Sequence, residues 1–103
     1  MGQQFIDQYS LLHFAVGIVA YFWGIDILLL LLIHTVFEIS ENTVFGMNII
    51  NNYIKIWPGG KPTADSITNQ VGDTISSIIG WYTAYYIDKI GRQYEWYGLY
   101  MDL

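Results

Sequence analysis

"ILLLLLIHTVFEISEN", residues 27–42, decides how this chain folds. Its first half is leucine and isoleucine, apolar on every side of a helix. Its second half brings in His34, Glu38, Glu41 and Asn42 at successive spacings of four, three and one. With about 3.6 residues per helical turn, those four side chains fall on one face. An ionisable group turned toward hydrocarbon costs several kcal/mol, about 2.5 to 3.5 for Asp at a helix centre. A helix this apolar must therefore turn that face toward protein.

The composition points the same way. Of 103 residues, 53% are hydrophobic, 17% aromatic and only 13% charged, too few charges to coat a small body in water. Mean hydropathy is +0.33. The expectation is an all-α integral membrane protein, one domain over residues 1–103. It has three transmembrane helices over about 5–23, 26–45 and 64–87, an interfacial loop over 46–63 and an aromatic surface tail over 88–103. The lipid bilayer is its first partner. A net charge of −5 and a pI near 4.5 exclude nucleic acid, which needs clustered Lys and Arg. Without cysteine there is no disulfide and no thiolate site, so any metal must be held by His and carboxylates.

The segment "FIDQYSLLHFAVGIVAYFW" lacks the basic start and the small-residue cleavage pattern of a signal peptide, so it is expected to be retained. "GID" at 24–26 reads as a tight turn, with Asp26 as the cap of the next helix. "WPGGKP" at 57–62 cannot continue a helix, and Trp57 and Tyr53 read as interfacial anchors. Lys55, Lys61, Lys89 and Arg92 read as headgroup contacts, divided equally between the two sides, so they leave the orientation open.

The third helix repeats the polar device. Asp65, Asn69, Gly72, Asp73, Ser76 and Gly80 share a face, and the first helix adds His13 and Gly17 four residues apart. Turned inward, His13, His34, Glu38, Glu41, Asn42, Asp65, Asn69 and Asp73 form an intramembrane polar cluster. Gly17, Gly72, Ser76 and Gly80 serve helix packing, as small-xxx-small rows do. Two meanings stand side by side. In one, the polar groups are interhelical glue and nothing binds. In the other they hold protons or a divalent metal such as Zn, Mn or Fe at His34, Glu38 and Asp73, with Glu41 or Asp73 as a general base.

The ordered set "HFAVG", "HTVFEISEN", "WPGGKPTADSITNQVGD" and "SSIIGW" resembles small polytopic membrane proteins of large DNA viruses, especially those of algae. It is more distantly similar to bacterial YjdF-like and VanZ-like membrane proteins. The matching positions are His13, Gly17, Glu38, Glu41, Asp65, Asn69, Gly72 and Asp73. The bacterial proteins are usually longer. The resemblance implies a component of a virion internal membrane or a host membrane, contacting capsid or other membrane proteins or further copies of itself. The other expectation is a metal- or proton-binding membrane enzyme acting on lipid or a headgroup-sized substrate.

Overall fold

The computed structural model describes residues 3–54, 56, 60, 61 and 63–96. Among them are four helices and no strand, as an all-α chain requires: α1 (Gln8–Phe22), α2 (Ile27–Glu41), α3 (Val44–Tyr53) and α4 (Ile67–Gln93).

Each helix starts where a short polar side chain satisfies free backbone donors. Asp7 accepts from the Tyr9 N–H, and the Ser10 hydroxyl accepts from the Asp7 N–H, completing a capping box. That cap fixes the start of α1 at residue 8, not at 5. Gly24 makes the turn into α2 with φ +78°, and Asp26 caps α2 by accepting from Leu29 N–H at 2.7 Å. Thr43 caps α3, and Ser66 caps α4.

Further expected boundaries shift, and the helix expected from 64 starts at Ile67, after the Ser66 cap. The second helix does not run to 45. It ends at Glu41, and α3 leaves it at an angle of 86°. Thr43 makes the bend: its hydroxyl donates to Ser40 O at 2.7 Å and accepts from Gly46 N–H at 3.0 Å. The stretch expected as an interfacial loop from 46 therefore begins as helix. Likewise the expected tail begins as helix, because α4 continues to Gln93. Its end is a Schellman turn in which Trp96 N–H reaches Gly91 O at 2.8 Å and Glu95 N–H reaches Arg92 O at 3.3 Å. The expectations for Lys55, Trp57, Pro62 and residues 97–103 lie outside the described residues.

No single described helix is long and apolar enough to cross a membrane; α2 and α3 have the length and composition only as a bent pair. Helix α1, with 15 residues, is about 22 Å long. The 27-residue α4 is about 40 Å long but carries Asn69, Asp73 and Asp88.

α1 lies along α4, backbone close against backbone. A Cβ on Gly17 would strike the Ser77 carbonyl and Trp81 N, and one on Gly80 would strike the Phe14 carbonyl. Gly72 likewise faces the Phe5 carbonyl. The small-residue row on α4 runs through Ser77, which is buried, and not through Ser76. Ser76 instead donates its hydroxyl to Gly72 O within the helix at 2.9 Å.

What fills the interior is polar. Buried apolar side chains among the described residues are Ala20, Leu30, Ile50 and Ala84, whereas Ser10, His34, Glu38, Glu41, Lys61, Asn69, Asp73, Ser77 and Asp88 are all buried. Large apolar side chains point outward instead, Leu28 at 75% exposure and Leu11 at 72% among them.

Candidate metal centre

The glycine contacts between α1 and α4 place His13 against Asp73, with Nε2 to Oδ2 at 3.3 Å. The α2 face then closes over the pair. Glu38 comes from α2 so that one ligand atom each of His13, Glu38 and Asp73 lies within 4.8 Å of the others. Two ligands at about 2.0–2.2 Å from one ion sit at most roughly 4.4 Å apart, so a small side-chain adjustment closes this set on a cation.

His34 is in the cluster but in a different place from the one expected. Its ring meets that of His13 edge-on, with centroids 5.2 Å apart and planes at 86°. Its Nε2 stands 3.9 Å from Glu38 Oε2, one turn along α2. The three-ligand group thus contains His13 where spacing along one helix had put His34. The i, i+4 pattern shows which residues of α2 share a face, but it cannot show that α1 comes close enough to insert its own imidazole first.

Several atoms here lack the partner that burial demands. His34 Nε2, both Glu38 side-chain oxygens, Asp73 Oδ1 and Ser77 Oγ are buried with no hydrogen-bond partner among the described residues. Asp73 is 2% exposed and Glu38 3%. Buried polar groups are nearly always satisfied, and Glu38 and Asp73, which carry three of these atoms, belong to one group that could hold a metal ion.

A second acidic group adjoins the first. Glu38, Glu41 and Asp65 also place one ligand atom each within 4.8 Å of one another. Asp65 is held there by Asn42, whose side-chain oxygen accepts from Asp65 N–H at 2.7 Å while its amide donates to Glu38 O at 2.8 Å. Asn42 is therefore a clamp between α2 and the segment before α4 and supplies no ligand. Asn69, 1% exposed, is also engaged elsewhere: its amide donates to Gln4 O at 2.6 Å and Asp7 Oδ2 at 3.1 Å, fastening the N-terminal segment.

Lys61 corrects the expectation of a headgroup contact. It is buried, and its Nζ lies 2.6 Å from Asp65 Oδ1. Asn51 holds it in place through a two-point bond, accepting from Lys61 N–H at 2.6 Å and donating to Lys61 O at 2.8 Å. The only sequence signal was a lysine four residues before an aspartate, in a stretch whose prolines and glycines exclude a helix. Arg92 is likewise tied to protein, bonding Asp88 Oδ2 at 3.1 Å, and the Tyr21 hydroxyl donates to the same carboxylate.

No protein-family model matches this chain, and no curated protein or solved structure matches it either. The chemistry of the centre rests on its own residues: a group of imidazole and carboxylate donors that could hold a metal ion.

Proposed function

We propose that this chain is an integral membrane protein whose polar interior binds a divalent cation through His13, Glu38 and Asp73, and which acts on an amphiphilic, lipid-like substrate. Glu38 carries the reading. A carboxylate that is 3% exposed, with both oxygens unpartnered and facing an imidazole and a second carboxylate, is expensive to bury unless a metal or a proton compensates it. One imidazole and two carboxylates are the donors of divalent Zn, Mn and Fe sites.

The membrane part of the reading is supported by which side chains face outward. Ile67, Val71, Ile75, Ile79, Tyr86 and Ile90 are all exposed along α4. From Ile67 to Ile90 that face is about 35 Å long, enough for a hydrocarbon core of about 30 Å. Of the residues that lower the hydropathy of α4, Asn69, Asp73, Ser77 and Asp88 are buried, while the exposed Lys89, Arg92 and Gln93 cluster at its C-terminal end. A helix whose polar groups are hidden by its neighbours needs only an apolar outer face to sit in lipid.

Access is offered between α2 and α4 by a cleft of about 280 Å³, lined by Ile39, Ile67, Val71 and Ile75 and, on its polar side, by Thr35, Glu38, Gln70 and Thr74. Its apolar walls suit an acyl chain, and Glu38 suits the polar end. A cation held there by His13, Glu38 and Asp73 would supply polarisation of a substrate oxygen and activation of water.

Elemental analysis of the detergent-purified protein tests this. The expected result is stoichiometric metal that is lost in Glu38→Gln and Asp73→Asn. No metal in the wild type, with thermal stability unchanged in both variants, contradicts it.

A second reading is favoured by Tyr94 and Trp96, both exposed beyond the end of α4. In it the chain is an interaction protein of a virion internal membrane or host membrane, docking capsid or other membrane proteins through this aromatic end. Removing residues 94–103 should then abolish incorporation into purified particles; unchanged incorporation counts against it.

A further inference from the structure

We infer that the centre is binuclear, with Glu38 bridging two divalent cations: one held by His13, Glu38 and Asp73, the other by Glu38, Glu41 and Asp65. This rests on the cation-binding reading above and goes beyond it in number of ions, in the role of Glu38 and in the class of ligand.

Three observations carry it. The two ligand groups are adjacent and share a single member, Glu38. That carboxylate has two buried oxygens, and the Glu41 carboxyl of the second group lies against it, so its oxygens can serve one group each. A carboxylate spanning two ions in this way suits the separation of about 3.5–4 Å found in two-metal sites.

The third observation is charge. Glu38, Glu41, Asp65 and Asp73 bring four carboxylates into a largely enclosed space, and Lys61, paired with Asp65, brings one ammonium. With neutral imidazoles, three negative charges remain. One divalent cation leaves the interior negative. Two leave one positive charge, which an anionic ligand completes. Buried charge that is not balanced is strongly unfavourable; two ions with one anion balance it, and one ion with a proton shared between Glu38 and Glu41 is the alternative that a single uncoupled ion would report. Two cations with a lysine beside them favour a phosphate oxygen as that anion, and the apolar cleft at Glu38 makes its carrier a lipid phosphate ester.

The experiment uses the full chain in detergent, loaded with Mn²⁺ and freed of excess, with metal counted by elemental analysis and ion–ion coupling read by electron paramagnetic resonance. Wild type is expected to hold two Mn²⁺ per chain with an exchange-coupled spectrum. Glu41→Gln should retain one ion and give the uncoupled six-line signal. Glu38→Gln should lose the coupling altogether. One uncoupled ion in the wild type overturns the binuclear site and leaves the single-cation reading standing; no ion at all overturns both. Should Glu41→Gln fail to fold, as judged by circular dichroism, the wild-type spectrum alone decides. Inorganic phosphate added to the loaded wild type should perturb the coupled signal, and no change at millimolar phosphate overturns the assignment of the anion.

Discussion

His13 Nε2 lies 3.3 Å from Asp73 Oδ2, a contact between the first and last helices that exists because Gly17 and Gly80 bring their backbones together. His34 touches the same imidazole from α2 but belongs to neither ligand group. The two histidines should therefore behave differently. His13→Ala is expected to weaken metal binding by more than about 100-fold, and His34→Ala by the roughly 10- to 100-fold of a supporting partner. Competition titration with a chelating dye measures both. Equal losses would show that the imidazoles are interchangeable.

The α1–α4 contact makes its own demand. Gly17→Ala places a methyl against the Ser77 carbonyl and the Trp81 amide, where only backbone could yield. The helices must separate, at an expected cost of about 2–4 kcal/mol, in the range of disruptive core substitutions. Gly24→Ala meets nothing within 4 Å and bears only the strain of φ +78°, about 1 kcal/mol. Thermal unfolding in one detergent should rank Gly17→Ala well below Gly24→Ala, and the reverse order would contradict the packing described.

Asn51 is expected to matter through Lys61. Asn51→Ala removes both bonds to the Lys61 backbone, at about 1–3 kcal/mol for the groups left unsatisfied. Hydrogen exchange at the Lys61 amide should accelerate while α1 and α4 stay protected. Unaltered exchange would mean that Lys61 is positioned by something other than Asn51.

Ile79 is exposed in the middle of α4, on the apolar face. Ile79→Asp is expected to cost about 2.5–3.5 kcal/mol of membrane insertion. Alkaline carbonate extraction should release a larger share of this variant than of the wild type. Equal retention would argue that this face does not meet lipid.

Much of this was legible in residues 27–42, and the rest was lost for identifiable reasons. Spacing alone shows that His34, Glu38 and Glu41 share a face and must turn inward, and the turn at Gly24 and the cap at Asp26 are both readable. Helix α3 was hidden because Gly46 and its asparagines look like loop. What decides it is the Thr43 cap, a single hydroxyl bridging two helices. Ser77 in place of Ser76 is an error of one residue, about 100° of helix rotation, and depends on how α4 rolls against α1. The burial of Lys61 and the place of His13, rather than His34, in the ligand group were out of reach in another sense. Each gains its role from contacts that helical spacing does not encode: Lys61 from Asn51 and Asp65 across a non-helical stretch, His13 from the glycine contact with α4, distant in sequence. Pattern along one helix reports a face; it does not report what that face meets.

The most direct test follows from the absence of cysteine, which allows a single nitroxide to be attached anywhere. Labels at Leu32 on α2 and Ile79 on α4, both outward-facing, would be compared in proteoliposomes for collision with oxygen and with a water-soluble nickel chelate. The expected result is frequent collision with oxygen and little with nickel at both positions. Ready access of nickel to Leu32 and Ile79 would mean that the apolar exterior faces water, and the account of a polar interior held within lipid would fail.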